Sequence, residues 1–489
     1  MITENRKFVL NILAIASIVY GVAMLPSIVL AVKYHEVGVY KAMIIIASFC
    51  FLLGSVMHRH LNNDLSNVKL RICYMTTIIV WIMLIVLSAI PYYTSAQHYS
   101  IVDSLFESTA SWTTTGASAI DNSFLPVGLR MWRATCNWLG GIGIILLVIS
   151  FLPQWQFVGQ RLVSTEIRGP NFLMSTTTFR KAYRRIIIVY CALTIAQYIA
   201  LRLAGFGQLD ACVTTLSNSS TSGLQHINNG VIIGMSTPVK VILTVFAFLC
   251  SLNVGAVIVL ISGRLKTLLR MTETKAYIIY IAVISIIMTI AILYTHQDMS
   301  FGYVFSTTLM QTVSFASTAS YIVSDCWTWP TFCKSIIMIM MLIGSCALST
   351  GGGIKISRFV IAAKTLRGSM FHIIHPSSVR TMKYNGKVCK QEDVLSANIY
   401  IAVFLVMYFV GAILISLEGT NVYESLSCSL AMLGNSGTPT VFLRNPGLFA
   451  DMNGFSKLSM CFLMLCGRLE IYPVLLLFSR KFWNTKYDD

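Results

Sequence analysis

Charge is what this sequence has least of: Asp, Glu, Lys and Arg make up 11% of its 489 residues, where soluble domains carry roughly a quarter. A chain so poor in charge cannot cover itself with a hydrated surface, which excludes an ordinary soluble protein. Acidic residues are the scarcer sign, 19 against 36 basic, and they form no carboxylate pair of the kind general acid–base chemistry uses. There is no nucleophile elbow and no phosphate loop. The apolar runs hold too few His, Asp or Glu to converge on a substrate, so an enzyme built inside a membrane is a weak reading. The 13 cysteines include no C-x-x-C pair and no zinc spacing. Most lie inside apolar runs, where buried free thiols are expected.

What is present is apolar sequence, 56% of the chain. It is gathered into runs near 10–32, 40–57, 72–91, 132–152, 183–203, 238–262, 276–294, 334–365, 395–417 and 457–478. About 20 apolar residues carry a helix across a ~30 Å hydrocarbon core, so the runs predict an all-α polytopic membrane protein of ten spans, with no large soluble appendage. Arg6 and Lys7 ahead of the first run, with Ala14-Ile15-Ala16 inside it, have the look of a signal peptide. That run continues to Val32, long enough to span, and is read as an uncleaved first helix.

The net charge of +17 could point to nucleic acid. Its placement favours topology instead. Basic residues fill one set of alternate loops: Arg6 and Lys7; His58 to Arg71; Arg161, Arg168, Arg180, Lys181, Arg184 and Arg185; Arg264 to Lys275; Lys364 to Lys390; and Arg480, Lys481 and Lys486. The intervening loops hold Asp103, Asp210, Asp298 and Glu418 and almost no Lys or Arg. This is the positive-inside pattern, with a lipid bilayer as partner, no nucleic acid, and both termini cytoplasmic.

Between four pairs of spans lies a second kind of segment: about a dozen moderately apolar residues, then a Ser/Thr/Gly cluster. These run Ile101 to Ala117, Leu209 to Leu224, Phe305 to Tyr321 and Tyr423 to Thr438. A dozen helical residues reach only about 18 Å, too short to cross, so each is a re-entrant candidate. The pattern helix, short helix, polar loop, helix returns every 100 to 120 residues, which is an internal repeat. It predicts four helix–pore-loop–helix repeats in pseudo-fourfold arrangement around a central pore. The expected organisation is two extra transmembrane helices in 1–70, then pore repeats at 71–160, 181–266, 275–368 and 394–483, the third with a broken second helix.

Such segments suit a monovalent cation. A dehydrated K⁺ must be offered oxygens in place of water, and rings of backbone carbonyls from four loops do so in K⁺ channels. Glycine permits the backbone conformations and the close approach this requires. Each short helix precedes its loop and so turns its negative dipole end toward the cation.

Two basic residues sit within apolar sequence. Arg468, in Cys466-Gly467-Arg468-Leu469-Glu470, reads either as paired with Glu470 or another group or as a positive charge lining the inner pore, part of a gate or electrostatic barrier. Lys355, after Gly351-Gly352-Gly353, reads either as an anchor that snorkels to the interface or as part of the same gate. The glycine run itself interrupts the eighth span and marks a broken helix. His372 and His375 have helical spacing but no third ligand nearby, and read as a loop turn rather than a metal site. Arg133 and Asn137 are expected to anchor a helix or bond the preceding loop.

Several of these stretches together carry a resemblance: Trp112-Thr113-Thr114-Thr115-Gly116-Ala117, Trp132-Arg133, Trp138-Leu139-Gly140-Gly141-Ile142-Gly143, Ser349-Thr350-Gly351-Gly352-Gly353-Ile354-Lys355, His375-Pro376 and Gly467-Arg468-Leu469-Glu470. Over nearly its whole length the chain resembles the TrkH family, membrane subunits of bacterial Trk potassium uptake systems in the Trk/Ktr/HKT superfamily. The resemblance implies K⁺ as the transported ion, no organic cofactor, and a bacterial cytoplasmic (inner) membrane location. It implies a filter with Gly116, Gly223 and Gly437 as its glycines, lined by Thr114, Thr115, Gly116, Thr221, Ser222, Gly223, Thr318, Ala319, Ser320, Asn435, Ser436 and Gly437. A gating loop is implied at Gly351, Gly352, Gly353 and Lys355, with Arg468 close by. So are a homodimer and a cytoplasmic, nucleotide-binding regulatory partner like TrkA. Two departures stand out: Ser320 occupies the third filter position, where the family has glycine, and Thr438-Pro439 follows Gly437 in place of Pro-Gly. In plant HKT members a serine replacing a filter glycine, in a different loop, is associated with Na⁺ permeation. The rival readings are therefore a less selective K⁺/Na⁺ channel and an ion-coupled secondary transporter. The latter would be expected to show inverted repeats, whereas these four units share one orientation.

Overall fold

The structure is a computed structural model that describes residues 2–61, 70–95, 99–122, 125–143, 176–223, 230–376, 382–385, 387–389, 391–437 and 448–480. It is mostly helical. The N-terminal region folds as α1 (Ile2–Ala23), α2 (Leu25–Lys33) and α3 (Val37–His60). Then come α4 (Leu70–Tyr93), α5 (Ile101–Trp112), α6 (Val127–Ile142), α7 (Thr176–Leu203), α8 (Gln208–Ser219), α9 (Thr237–Ser251) and α10 (Val254–Ile261). The second half continues with α11 (Leu265–Arg270), α12 (Thr272–Thr295), α13 (Phe301–Ala316), α14 (Thr331–Leu342) and α15 (Ile356–Ile374). A two-residue hairpin, β1 (Lys383–Tyr384) with β2 (Lys387–Val388), leads to α16 (Gln391–Ser416), α17 (Val422–Gly434), α18 (Leu448–Asp451), α19 (Gly454–Arg468) and α20 (Tyr472–Leu476).

Among the described residues six helical stretches are long and apolar enough to cross a membrane: α1 with α2, α3, α4, α7, α12 and α16. Their outward faces are apolar, as Ile45, Leu52, Ile195, Ile290 and Ile413 illustrate, each more than half exposed. Such faces are unfavourable in water and match hydrocarbon. Tight helix pairs rely on small residues: a Cβ on Gly21 or Gly54 would press into the backbone of the opposite helix of the α1–α3 pair, at the Ala47 or Ala14 carbonyl. Glu36 joins this N-terminal pair to the rest by accepting the backbone N–H groups of Val127 and Gly128 at the start of α6, where a carboxylate complements the helix dipole.

Three expected spans are not continuous helices. The run at 238–262 bends by 116° between α9 and α10. Asn253 caps α10 by accepting the Gly255 N–H, and the carbonyls left over at the end of α9, Cys250 and Ser251, are taken by the N–H groups of Thr350 and Cys346. The run at 334–365 stops at Leu342, well before the glycine run 351–353, and resumes at Ile356. The last run ends its helix at Arg468, because Glu470 and Ile471 both adopt left-handed backbone, φ +58° and +41°. Arg468 is thus a helix terminus. The fourth run forms α6 to Ile142, and its remainder lies outside the described residues.

A single arrangement occurs four times. Each short helix, α5, α8, α13 and α17, packs against the helix before it and the helix after it: α4 and α6, α7 and α9, α12 and α14, α16 and α19. The later helix of each set also touches the next short helix: α6 meets α8, α9 meets α13, α14 meets α17, and α19 returns to α5. The four sets close into a ring in chain order.

Candidate functional site

The short helices contain 12, 12, 16 and 13 residues. Local sequence starts two of them firmly: Ser100 accepts the Asp103 N–H, and Asn421 with Glu424 forms a capping box. Each ends in the same way. One or two residues past the helix the backbone turns left-handed and its N–H bonds back three residues, Thr114 to Ser111, Thr221 to Asn218, Thr318 to Phe315 and Asn435 to Met432. These four have φ of +55°, +53°, +67° and +45°, and two residues on the backbone is left-handed again: Gly116 +77°, Gly223 +84°, Ser320 +50° and Gly437 +75°. L-residues rarely adopt this conformation. Its recurrence in register makes the four segments one local structure. The intervening N–H groups of Thr115, Ser222 and Ser436 also return to the short helices, at the Ala110, Ser217 and Ala431 carbonyls.

The segments touch one another at their second left-handed residue. A Cβ on Gly116 would overlap the Ser222 carbonyl oxygen and stand 3.4 Å from the Gly437 Cα. One on Gly223 would lie 2.7 Å from the Ala319 oxygen, and one on Gly437 would lie 2.9 Å from the Ser320 Cβ. All twelve expected filter residues therefore belong to four segments that meet in the ring, and all are buried. Their side chains tie neighbouring segments together: Asn435 Nδ2 donates to Thr115 Oγ1 at 2.9 Å. The Ser320 and Ser436 hydroxyls have no hydrogen-bond partner among the described residues.

Residues 343–355 lie against the first left-handed residues of the ring. Gly352 N–H donates to Thr318 Oγ1 at 2.8 Å and Gly353 N–H to the Gly434 carbonyl at 2.7 Å, while the Thr221 hydroxyl donates to Thr350 Oγ1 at 3.3 Å. Arg468 completes the set by reaching Thr114 Oγ1 at 3.4 Å. Its guanidinium also donates to the carbonyls of Gly140, Gly141 and Thr350. The loop carries its own cation: Lys355, fully buried, donates to Gly351 O at 2.5 Å and Ser345 Oγ at 3.1 Å. Burial of these charges is offset by polar contacts.

Two particulars expected of these residues, the Glu470 partner of Arg468 and the outward reach of Lys355, are corrected here. Glu470 pairs not with Arg468 but with Arg358, at 2.6 Å, and Lys355 does not snorkel. Arg133 does bond the preceding loop, through Asn122 at 2.6 Å, and also pairs with Glu107 on α5 at 3.3 Å. Asn137 is buried with neither amide atom bonded among the described residues. His372 and His375 are exposed at the end of α15 and just beyond it, and no group of three metal ligands exists among the described residues. None of the 13 cysteines is in a disulfide and none is exposed. Thr438-Pro439 lies outside the described residues. Glu107 and Gln311 were missed: both reach from a short helix to the chain beyond the ring, and each sits nine residues before the second left-handed residue of its segment. That shared register was visible in the sequence.

Helices that cross a membrane, enclosing a ring of polar segments with a loop lodged against it, define an integral membrane transport protein. The chain belongs to the TrkH family of cation transport proteins, whose profile matches residues 39–487. It is 26% identical over 474 residues to the Trk system potassium uptake protein TrkH of Salmonella typhimurium strain LT2, covering 95% of this chain and 96% of that one. It is 27% identical over 493 residues to TrkG of Escherichia coli K12, covering 99% and 100%. It is 28% identical over 421 residues to TrkI of Halomonas elongata, covering 84% of each. The fold matches the crystal structure of the potassium transporter TrkH from Vibrio parahaemolyticus with a TM-score of 0.84 at 24% identity, over 98% of this chain and 99% of that one. The family is one of transporters, not enzymes.

Proposed function

We propose that this protein takes up K⁺ across a bacterial cytoplasmic membrane through a pore along the axis of the ring. The observation that carries the reading is the chain-order closure of four equivalent short-helix segments, α6 on α8, α9 on α13, α14 on α17 and α19 on α5. With N–H groups turned back to the short helices, the carbonyls of residues 114–116, 221–223, 318–320 and 435–437 are available to a dehydrated cation, and four helix C-termini add negative potential. The discontinuous runs then count as spans, giving ten and four pore repeats at 71–160, 181–266, 275–368 and 394–483, beyond two extra helices in 1–70. Both termini are cytoplasmic.

The loop 343–355 acts as a gate. It bonds to Thr221, Thr318 and Gly434 and, through Arg468, to Thr114. A shut gate of this kind must release these contacts to pass an ion. The protein works as a homodimer with a TrkA-like nucleotide-binding regulatory subunit on the cytoplasmic side, where the basic loops offer the contact. A second, less selective reading for K⁺ and Na⁺ rests on Ser320, whose φ of +50° falls short of the +75° to +84° of the three glycines.

The test is ⁸⁶Rb⁺ and ²²Na⁺ uptake into proteoliposomes. Wild type is expected to take up Rb⁺ well above Na⁺, and Gly116→Asp to insert normally but abolish both fluxes. Undiminished flux in Gly116→Asp would remove the ring from the ion's path, and equal Rb⁺ and Na⁺ uptake in wild type would favour the second reading.

A further inference from the structure

Glu107 and Gln311 are buried polar residues on α5 and α13, in identical register and on opposite members of the ring. Glu107 Oε1 accepts the Ala119 N–H at 2.8 Å, the Ile120 N–H at 3.1 Å and the Ser118 hydroxyl. Gln311 Oε1 accepts the Val323 N–H at 2.9 Å, and its Nε2 donates to the Tyr321 carbonyl at 2.9 Å. In each case one side chain spans from the short helix to the chain just past the second left-handed residue. Each segment is thus clamped on both sides: by backbone bonds to its short helix before, and by this brace after. The charges differ while the geometry agrees. Glu107 requires Arg133, 3.3 Å away, to balance its burial; the amide of Gln311 is neutral and needs no such partner.

We propose that Glu107 and Gln311 are positioning residues for cation selectivity, holding the last carbonyls of the first and third segments in the ring. The inference rests on the pathway proposed above. A carbonyl ring distinguishes ions by the number, field and spacing of its oxygens. A segment free to relax outward presents a looser cage, which penalises the smaller, more strongly hydrated Na⁺ less. The braces themselves touch no ion, so their loss changes discrimination before it changes conduction. The third segment has the greater need, because its second left-handed residue is Ser320 rather than glycine. In the other two segments the shorter Thr214 and Cys428 hold the same register.

The test compares wild type with Gln311→Met, which keeps the length and removes the hydrogen bonds to Tyr321, Val323 and the Cys326 thiol, and with Glu107→Gln/Arg133→Met, which recreates in the first segment the neutral brace of the third. Rb⁺ and Na⁺ uptake are measured on the same proteoliposome preparations. The ratio of the two fluxes depends only on molecules that fold, so partial misfolding does not disguise the result. Gln311→Met is expected to lower the Rb⁺/Na⁺ ratio about tenfold, the equivalent of roughly one net hydrogen bond. The double variant is expected to stay within about threefold of wild type. Gln311→Asn, which keeps the amide but falls one methylene short, should behave like Gln311→Met. An unchanged ratio in Gln311→Met and Gln311→Asn, whatever the total flux, overturns the positioning role. Wild-type vesicles without Rb⁺ flux overturn the pathway itself.

Discussion

Replacing Ser320 by glycine tests the ring at its one irregular point. Ser320 holds a left-handed backbone, φ +50°, where the other segments have glycine. An L-residue there costs about 1–2 kcal/mol. Its hydroxyl is buried and lacks a hydrogen-bond partner among the described residues, which costs about 1–3 kcal/mol more. Glycine removes both penalties and gives up roughly 0.5–1 kcal/mol of backbone entropy. The net expectation for Ser320→Gly is a stabilisation on the order of 2 kcal/mol. The backbone is then free to move toward the +75° to +84° of its neighbours, which brings the third carbonyl into line with the rest. Two assays read this out: thermal unfolding of the purified protein in detergent, where the midpoint should rise, and the Rb⁺/Na⁺ uptake ratio, which should rise with it. A variant less stable than wild type would refute the reasoning, since it would mean that the serine hydroxyl makes a favourable contact. A higher midpoint with an unchanged uptake ratio would separate strain from selectivity and leave Ser320 a tolerated variation.

Arg468→Gln removes charged donors to the Gly140, Gly141 and Thr350 carbonyls. If about 2 kcal/mol of that is specific to the shut state, the open population rises about thirtyfold, seen as faster Rb⁺ flux; flux at the wild-type level would show that the loop is not the gate. Gly140→Val drives a side chain into the Trp112 carbonyl and is expected to cost about 1–3 kcal/mol or more, with a lowered unfolding midpoint; an unchanged midpoint would contradict the close approach of α6 to the first segment. Arg358 and Glu470 are paired at 2.6 Å with little exposure, and Arg358 also lies 3.6 Å from the Tyr400 ring centre. Glu470→Met alone and Arg358→Met alone should each cost about 3 kcal/mol, and the two together less than their sum; additive losses in this cycle would mean that the two charges do not interact.

Much of this architecture could be read from residues alone because its signals are local. A short apolar helix ahead of a Ser/Thr/Gly cluster is legible wherever it occurs, and four occurrences at one period announce a repeat. The left-handed pairs Thr114/Gly116, Thr221/Gly223 and Asn435/Gly437 fall where the glycines suggest. The broken eighth run was legible in Ser349 to Gly353. Its true extent was not, because the helix ends at Leu342 to let Gly344 and Ile354 bond across the loop, a choice made by tertiary contacts.

The partners of the buried charges were beyond the sequence for the same reason. Glu470 is two residues from Arg468, yet the left-handed turn at Glu470 and Ile471 sends its carboxylate to Arg358 instead. The bend of 116° after Ser251 is invisible in an apolar run, since the carbonyls it frees are satisfied by a loop some 100 residues later. Composition and periodicity determined by themselves that the chain is helical, lives in lipid and carries four equivalent segments, because hydropathy and helix length act within a few turns. The order in which those segments meet, the bonding of Arg468 to the loop and the bracing by Glu107 and Gln311 were decided only by the tertiary structure, because each depends on which distant carbonyl or N–H group is left without a partner nearby.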